Sequence, residues 1–154
     1  MSAPAERFVA ALARRDEDGL LGLLAPDVEF RALTPGRFWE ATSAQEVLEA
    51  VLSVWFPPQD DIESVESVEV GDAHGRPRVG YRLRVRNAAG VAYAVEQRAY
   101  LDLTDDGLIR RLEILCGGFR RIQVDRADDA VSGPGPRPGT ARRTHLRDRT
   151  TAPE

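Results

Sequence analysis

Lysine is missing from this chain of 154 residues; all 21 basic residues are arginine. That absence excludes chemistry that needs a lysine amine, such as a Schiff base or the phosphate-holding lysine of a Walker loop. Cysteine occurs once, as Cys116, which excludes an intramolecular disulfide and a multi-thiolate metal site. The two histidines, His74 and His145, are too few for a His-rich zinc site, and neither a metal nor another cofactor is expected. No apolar run approaches the ~20 residues that a membrane helix needs. Met1 to Arg7 lack the basic region and apolar stretch of a secretory signal, so a cytoplasmic location without membrane contact is expected.

What is present is globular. Hydrophobic residues make up 42% and charged residues 30%, which places the chain among folded domains rather than disordered or fibrous ones. The length fits one domain, large enough to hold a core without a metal or disulfide staple. The net charge of -4 is unevenly spread: residues 1–69 hold 14 acids against 5 arginines, and residues 70–154 hold 11 acids against 16 arginines. A basic half could suggest nucleic acid. Its arginines, however, alternate with Val, Leu and Tyr as on the solvated face of a sheet, so no nucleic-acid partner is expected. After about Asp125 the large apolar residues nearly vanish, and Pro, Gly, Thr and Arg dominate. Residues 126–154 are therefore expected to be a disordered tail behind a domain spanning residues 1–125.

Periodicity sets the order of elements. Phe8, Val9 and Leu12 have helical spacing within residues 5–15. Asp16 or Asp18 caps a second short helix whose buried face is Leu20, Leu21, Leu23 and Leu24, ended by Pro26. Val28, Phe30 and Ala32 alternate with charged residues as a strand, broken at Thr34-Pro35-Gly36. Ser43 and Glu46 form a capping box that opens a helix through about Phe56, stopped by Pro57-Pro58. Four antiparallel strands follow, at 62–71, around Val79–Val85, at Val91–Leu103 and at Leu108–Cys116, joined by hairpin turns. Helices segregated from an antiparallel sheet indicate an α+β domain.

This order resembles the nuclear transport factor 2-like superfamily over about residues 5–122. The carrying segments are Arg7-Phe8-Val9-Ala10-Ala11-Leu12, Asp18-Gly19-Leu20-Leu21, Leu24-Ala25-Pro26-Asp27-Val28 and the hairpin Asp106-Gly107-Leu108-Ile109; the ending Leu115-Cys116-Gly117-Gly118-Phe119-Arg120 looks SnoaL-like. The superfamily includes steroid isomerases, SnoaL-like polyketide cyclases, scytalone dehydratase, limonene epoxide hydrolase and noncatalytic members. The resemblance implies a cystatin-like cone, in which a curved antiparallel sheet wraps around the N-terminal helices and encloses an apolar pocket. Steroid isomerases use an Asp base, a Tyr and a protonated Asp. By spacing, those positions fall on Ala32, Phe8 and Ala99, none of which can give or take a proton. Steroid isomerase chemistry is therefore rejected.

If Ala32 and Ala99 face the pocket, period two places Phe30 and Val28, and Tyr93, Val95, Gln97 and Leu101, on the same face. A two-residue loop at Asp105-Asp106 or Asp106-Gly107 adds Leu112, Ile114 and Cys116; a three-residue loop or a bulge would break that inference. The candidate ligand-binding set is Phe8, Leu12, Phe30, Ala32, Trp39, Tyr81, Leu83, Gln97, Ala99, Leu112 and Cys116. Gln97 is the polar exception on an apolar face and needs a partner. Cys116 has no histidine near it and reads as an inert thiol. Phe38, Trp39, Trp55 and Phe56 flank the third helix at the pocket mouth, with Glu40 as the nearest carboxylate. No catalytic residue is assigned.

The other face carries Glu96, Arg98, Tyr100, Arg111 and Glu113. The first loop choice puts Arg98 opposite Glu113. Arg82, Arg84 and Arg86 are expected to meet Glu63, Glu66 and Glu69 of the neighbouring strand. A homodimer through this charged face is expected. Two functional readings stay open. One is a SnoaL-like domain that binds a small hydrophobic, cyclic metabolite, with an isomerase- or cyclase-type reaction included. The other is a noncatalytic dimeric protein-interaction module.

Overall fold

The computed structural model describes residues 3–122, so the expected tail at 126–154 and His145 lie outside the described residues. Helix α1 is Pro4–Ala13, with Pro4 at its first turn and the Glu6 carboxylate accepting from the Ala3 N–H at 3.2 Å. It buries Ala5, Phe8, Val9, Ala11 and Leu12. Asp16 caps α2, Glu17–Leu23, by accepting from the Gly19 N–H at 2.9 Å. The helix stops before Pro26: strand β1 begins at Leu24 and runs to Thr34. Pro26 is exposed where the ladder of β1 is interrupted between Leu24 and Glu29, a place where a missing N–H costs nothing.

β1 turns at Pro35-Gly36 into β2, Arg37–Ala41, a strand with no period-two pattern of its own. The adjacent apolar pair Phe38 and Trp39 hides its alternation; the first is 56% exposed and the second turns inward beside Ala32. Ser43 Oγ then accepts from the Glu46 N–H at 3.2 Å and opens α3, Ala44–Leu48. The expected single helix continues as a π-helical stretch, Glu49–Trp55, before Pro57-Pro58.

Strands β3 (Asp61–Ala73), β4 (Arg76–Arg86), β5 (Ala92–Leu103) and β6 (Ile109–Arg121) complete a six-stranded sheet ordered β2-β1-β6-β5-β4-β3. The sheet is mixed, not wholly antiparallel as expected, because β1 lies parallel to β6. Its inner face packs on α1, α3 and the π stretch in one apolar cluster, in which Leu12, Val28, Leu83, Ala99, Leu101 and Leu112 have no exposed surface. No helix among the described residues is long and apolar enough to cross a membrane.

The β5–β6 register contains both irregularities that could have reversed the expected faces. The turn is a three-residue loop, with Thr104 N–H donating to Leu108 O at 2.8 Å and Gly107 at φ 89°. A bulge follows, since Leu103 pairs with Ile109 but Asp102 pairs with Arg111. Each shifts the parity by one and the two cancel. Gln97 therefore faces Cys116, Ala99 faces Ile114 and Leu101 faces Leu112. Arg98 does not oppose Glu113; it pairs with Leu115, and Tyr100 takes the place opposite Glu113. A second bulge sits at Gly117-Gly118, because Gln97 pairs with Cys116 while Val95 pairs with Phe119.

On the outer face, Glu113, Arg76, Asp102, Arg111 and Glu29 form a chain of ion pairs across β6, β5, β4 and β1, from 2.7 to 3.7 Å. Two bulges in β3 bring Glu63 and Glu66 to Arg82, Arg84 and Arg86. The hydrogen bond from Arg86 holds the Glu63 carboxyl below its ordinary range. Glu69 is level with Gly80 rather than with an arginine.

Two glycines separate backbone strain from mere flexibility. Gly118 has φ 94°, and a Cβ there would meet Pro35 Cγ at 3.0 Å. Gly22 is helical, with nothing within 4 Å of its missing Cβ. Gly118→Ala should destabilise by about 1–2 kcal/mol, and Gly22→Ala should stabilise by up to about 1 kcal/mol. Urea unfolding midpoints of the two variants are expected to move in opposite directions.

Candidate functional site

The second bulge shapes a concave, mainly apolar surface at the end of the inner face. Simple alternation from Cys116 would turn Phe119 outward. The extra residue at Gly117-Gly118 turns it inward instead, beside Tyr93 at a centroid distance of 6.3 Å and Phe56 at 5.5 Å. The result is an open cleft of about 470 Å³ lined by Thr34, Pro35, Val54, Trp55, Pro57, Asp60, Asn87, Tyr93, Cys116, Gly118 and Phe119. Val54 and Phe119 are 53% and 40% exposed there.

Arg15 holds one wall. It follows α1 in the left-handed region, at φ 56°, which aims its side chain across the domain. Its Nη2 donates to the carbonyl oxygens of Phe56, Pro57 and Asp60, the last at 3.1 Å. These are the residues that carry the chain out of the π stretch and along the cleft. The opposite wall is stacked aromatics: Trp55 lies edge-on to Trp39 at 5.8 Å and tilted on Phe30 at 6.0 Å. Trp39 is fixed by Arg37 over its ring at 3.6 Å and by its Nε1–H donating to Thr34 Oγ1 at 2.8 Å.

Behind Cys116 lies a buried polar pair. The Tyr81 hydroxyl donates to Gln97 Oε1 at 2.7 Å, and Gln97 is the single buried polar or charged residue among the described residues, apart from Tyr81. Burial, with a smaller contribution from the nearby Cys116, pushes the Tyr81 hydroxyl well above its ordinary range, so it stays protonated and donates. Cys116 Sγ accepts from the Gly118 N–H at 3.4 Å. Among the described residues four buried side-chain nitrogens have no hydrogen-bond acceptor: Gln97 Nε2, Trp55 Nε1, Arg15 Nε and Arg111 Nε.

Of the sequence-expected residues, Cys116 lines the cleft, and Trp39 supports its wall. Tyr81 and Gln97 lie behind it. Phe8, Leu12, Phe30, Ala32, Leu83, Ala99 and Leu112 are at most 2% exposed and pack against one another deeper in the cone. Phe38 lies on the outer face, and Glu40 is an exposed acid near Arg31 rather than at the mouth. Sequence reasoning missed Phe119, Arg15 and the loop to Asp60; the paired glycines at 117–118 were the available sign of a bulge. A second depression, about 500 Å³, lies on the outer face where Gly80 and Gly117 lack side chains. The exposed Glu69, Glu96 and Arg98 line it together with Tyr81, Gln97 and Cys116.

No family model and no curated protein matches the sequence. Solved structures do match. A candidate isomerase from Bacillus subtilis aligns with a TM-score of 0.62 at 14% identity, over 74% of this chain and 84% of that one. An epoxide hydrolase of the LEH-like type from M. tuberculosis aligns at 0.55 and 13%, over 73% and 79%. A SnoaL-like polyketide cyclase candidate from Mesorhizobium loti aligns at 0.53 and 16%, over 72% and 94%. The chain shares the fold of these structures, the cone that the sequence resemblance implied. At these identities the likeness is one of scaffold, and the different chemistries named for the neighbours stay with the neighbours.

In this cone the Arg15 clamp is what shapes the mouth. Arg15→Gln removes the charged donor that the Phe56, Pro57 and Asp60 carbonyls share, at a cost of about 1.5–3 kcal/mol. Amide hydrogen exchange should accelerate between Phe56 and Ile62 while the β4–β5 amides keep their order of protection. Equal loss of protection across the domain would instead make Arg15 a general stability residue.

Proposed function

We propose that this domain binds a small, largely apolar molecule in the cleft at the mouth of the cone. The observation that carries the reading is the placement of Val54, Trp55, Tyr93 and Phe119 around one concave surface, with Val54 and Phe119 left open to solvent. Apolar surface that is both concave and accessible is what a ligand covers. The reading is one of binding, because no paired acid and base line the cleft. Tyr81 is locked as a proton donor to Gln97, the Asp60 carboxylate has no side-chain partner, and Cys116 is engaged only by a backbone N–H.

Both tryptophans of the chain stand at this site, 5.8 Å apart, so intrinsic fluorescence reports the cleft directly. Titration with Nile red should quench tryptophan emission saturably and shift the dye emission to the blue. Val54→Glu, which places a charge in the wall at an exposed position, should weaken that binding about tenfold or more without moving the melting temperature. No saturable binding by the unaltered protein, or equal binding by the variant, would overturn the reading.

A specific observation favours a second reading beside it, a homodimer in which the occupant of the outer face is a second copy. Phe38, Leu33 and Leu115 form one cross-strand row over β2, β1 and β6, each about half exposed. The next row, Glu40, Arg31 and Glu113, alternates in sign. Such a pair of rows is self-complementary about a two-fold axis, with apolar row on apolar row and each arginine near a carboxylate of the other copy. This carries the interaction-module alternative with a defined partner. Light scattering should give twice the 17.0 kDa chain mass, and Leu33→Arg should return it to one. A monomer for the unaltered chain at high concentration would remove this reading and leave the cleft untouched.

A further inference from the structure

We infer that two copies of this chain pair edge to edge through β3, antiparallel about a two-fold axis at Val70, which joins their sheets into one. This surface lies at the opposite end of the sheet from the row of Phe38, Leu33 and Leu115, and it is independent of the cleft.

β3 is the last strand in the sheet order, and among the described residues no strand pairs with its outer edge. An open edge is a template for another strand unless a device such as a bulge blunts it. β3 has two bulges, and both lie in its first half, between Ile62 and Ser64 and between Val65 and Ser67. From Ser67 to Ala73 its ladder with β4 is regular. This half presents Val68 and Val70 on the inner side, 44% and 48% exposed, although their β4 partners Tyr81 and Val79 are covered.

On the outer side, charge names the occupant. Arg76, Arg82, Arg84 and Arg86 of β4 each meet an acid at 2.6 to 3.3 Å. Arg78, among the described residues, is in no ion pair. Its guanidinium lies over its cross-strand partner Gly71, in the space that a Cβ there would fill. A positive group is thereby carried out to the edge strand. Glu63 and Glu66 of β3 are taken by arginines. Glu69 lies level with Gly80, which holds it a strand away from Arg98, and among the described residues it is in no ion pair either.

A two-fold axis normal to the sheet keeps both outer faces on one side, so a symmetric pairing is centred on a residue and not between two. Centred on Glu69, it sets that carboxylate against its own copy. Centred on Gly71, it brings the two Arg78 guanidinium groups together; centred on Val68, it runs Val70 into the bulge at Glu66. Centred on Val70, it sets Ser67 opposite Ala73, Val68 opposite Asp72, and Glu69 opposite Gly71 of the second copy, where Arg78 lies. The regular stretch is then used from end to end. Glu69 and Arg78 meet twice, Val68 and Val70 of the two copies form one apolar patch, and Asp72 stays engaged by the Gly75 N–H at 2.9 Å.

The contact is small, so a dissociation constant on the order of 0.1 mM is expected. The test uses the full chain carrying Leu33→Arg, which disables the outer face and leaves the edge to act alone. In micromolar solution its light-scattering mass should be that of one 17.0 kDa chain, rising toward two above about 0.1 mM. Adding Glu69→Arg, or Arg78→Glu, sets like charges together twice and should weaken this association about tenfold or more. An equimolar mixture of those two variants restores opposite charges at both contacts and should regain the association. In the unaltered chain, amide exchange between Ser67 and Ala73 should slow as concentration rises, while that between Asp61 and Val65 stays as it was. This readout needs no variant to fold. A mass fixed at one chain, single variants that associate like their parent, a mixture that stays apart, or exchange indifferent to concentration would each overturn the inference. None of these outcomes bears on the cleft or on the outer-face dimer.

Discussion

Along β4, Val79, Tyr81, Leu83 and Val85 turn inward and the arginines between them turn outward, and a strand offers no third direction. The domain depends on that constraint being met at the same time in all six strands. The inner face has to meet α1, α3 and the π stretch as continuous apolar surface, because a polar group placed there without a partner costs about as much as several surface ion pairs return. Gln97 is admitted only because Tyr81 reaches it across the β4–β5 pair. The outer ion-pair chain, by contrast, organises the charge without setting the fold.

Alternation explains what could be read from the chain in advance. Helix α1, the caps at Asp16 and Ser43, and the inner faces of β1, β4 and β5 each announce themselves within a few residues. The features that were not legible are those in which one residue changes the count. β2 carries two apolar side chains in succession, of which one serves the core and one faces out. The parallel pairing of β1 with β6 joins segments far apart in the chain, and no local pattern distinguishes it from an antiparallel neighbour. Gln97 follows from period two, whereas Cys116 comes out inside only because the three-residue turn and the bulge after it cancel. Phe119 follows only from the bulge that reverses it, and Arg15 only from a left-handed backbone that no composition argument gives to an arginine.

The site and the scaffold therefore divide the work in a recognisable way. The deep positions, Phe8, Ala32 and Ala99, are closed by packing and give the cone its rigidity. The mouth is built by exceptions to regular structure: a π stretch, a bulge and a left-handed residue whose side chain ties a loop to α1. Regular structure fixes a shape through many equal contacts, whereas the bulge at Gly117-Gly118 lies near the end of β6, where a change turns only the last residues of the strand.

The three-residue turn at Asp105-Asp106-Gly107 and the bulge near Arg110 each reverse the facing of every residue that follows, and only together do they leave Leu112, Ile114 and Cys116 inside. Neither can be gained or lost alone without turning the core of β6 into surface. A change of a single residue in this hairpin therefore has to be matched by a second change that restores the count, so that loop length and strand irregularity behave as a single character.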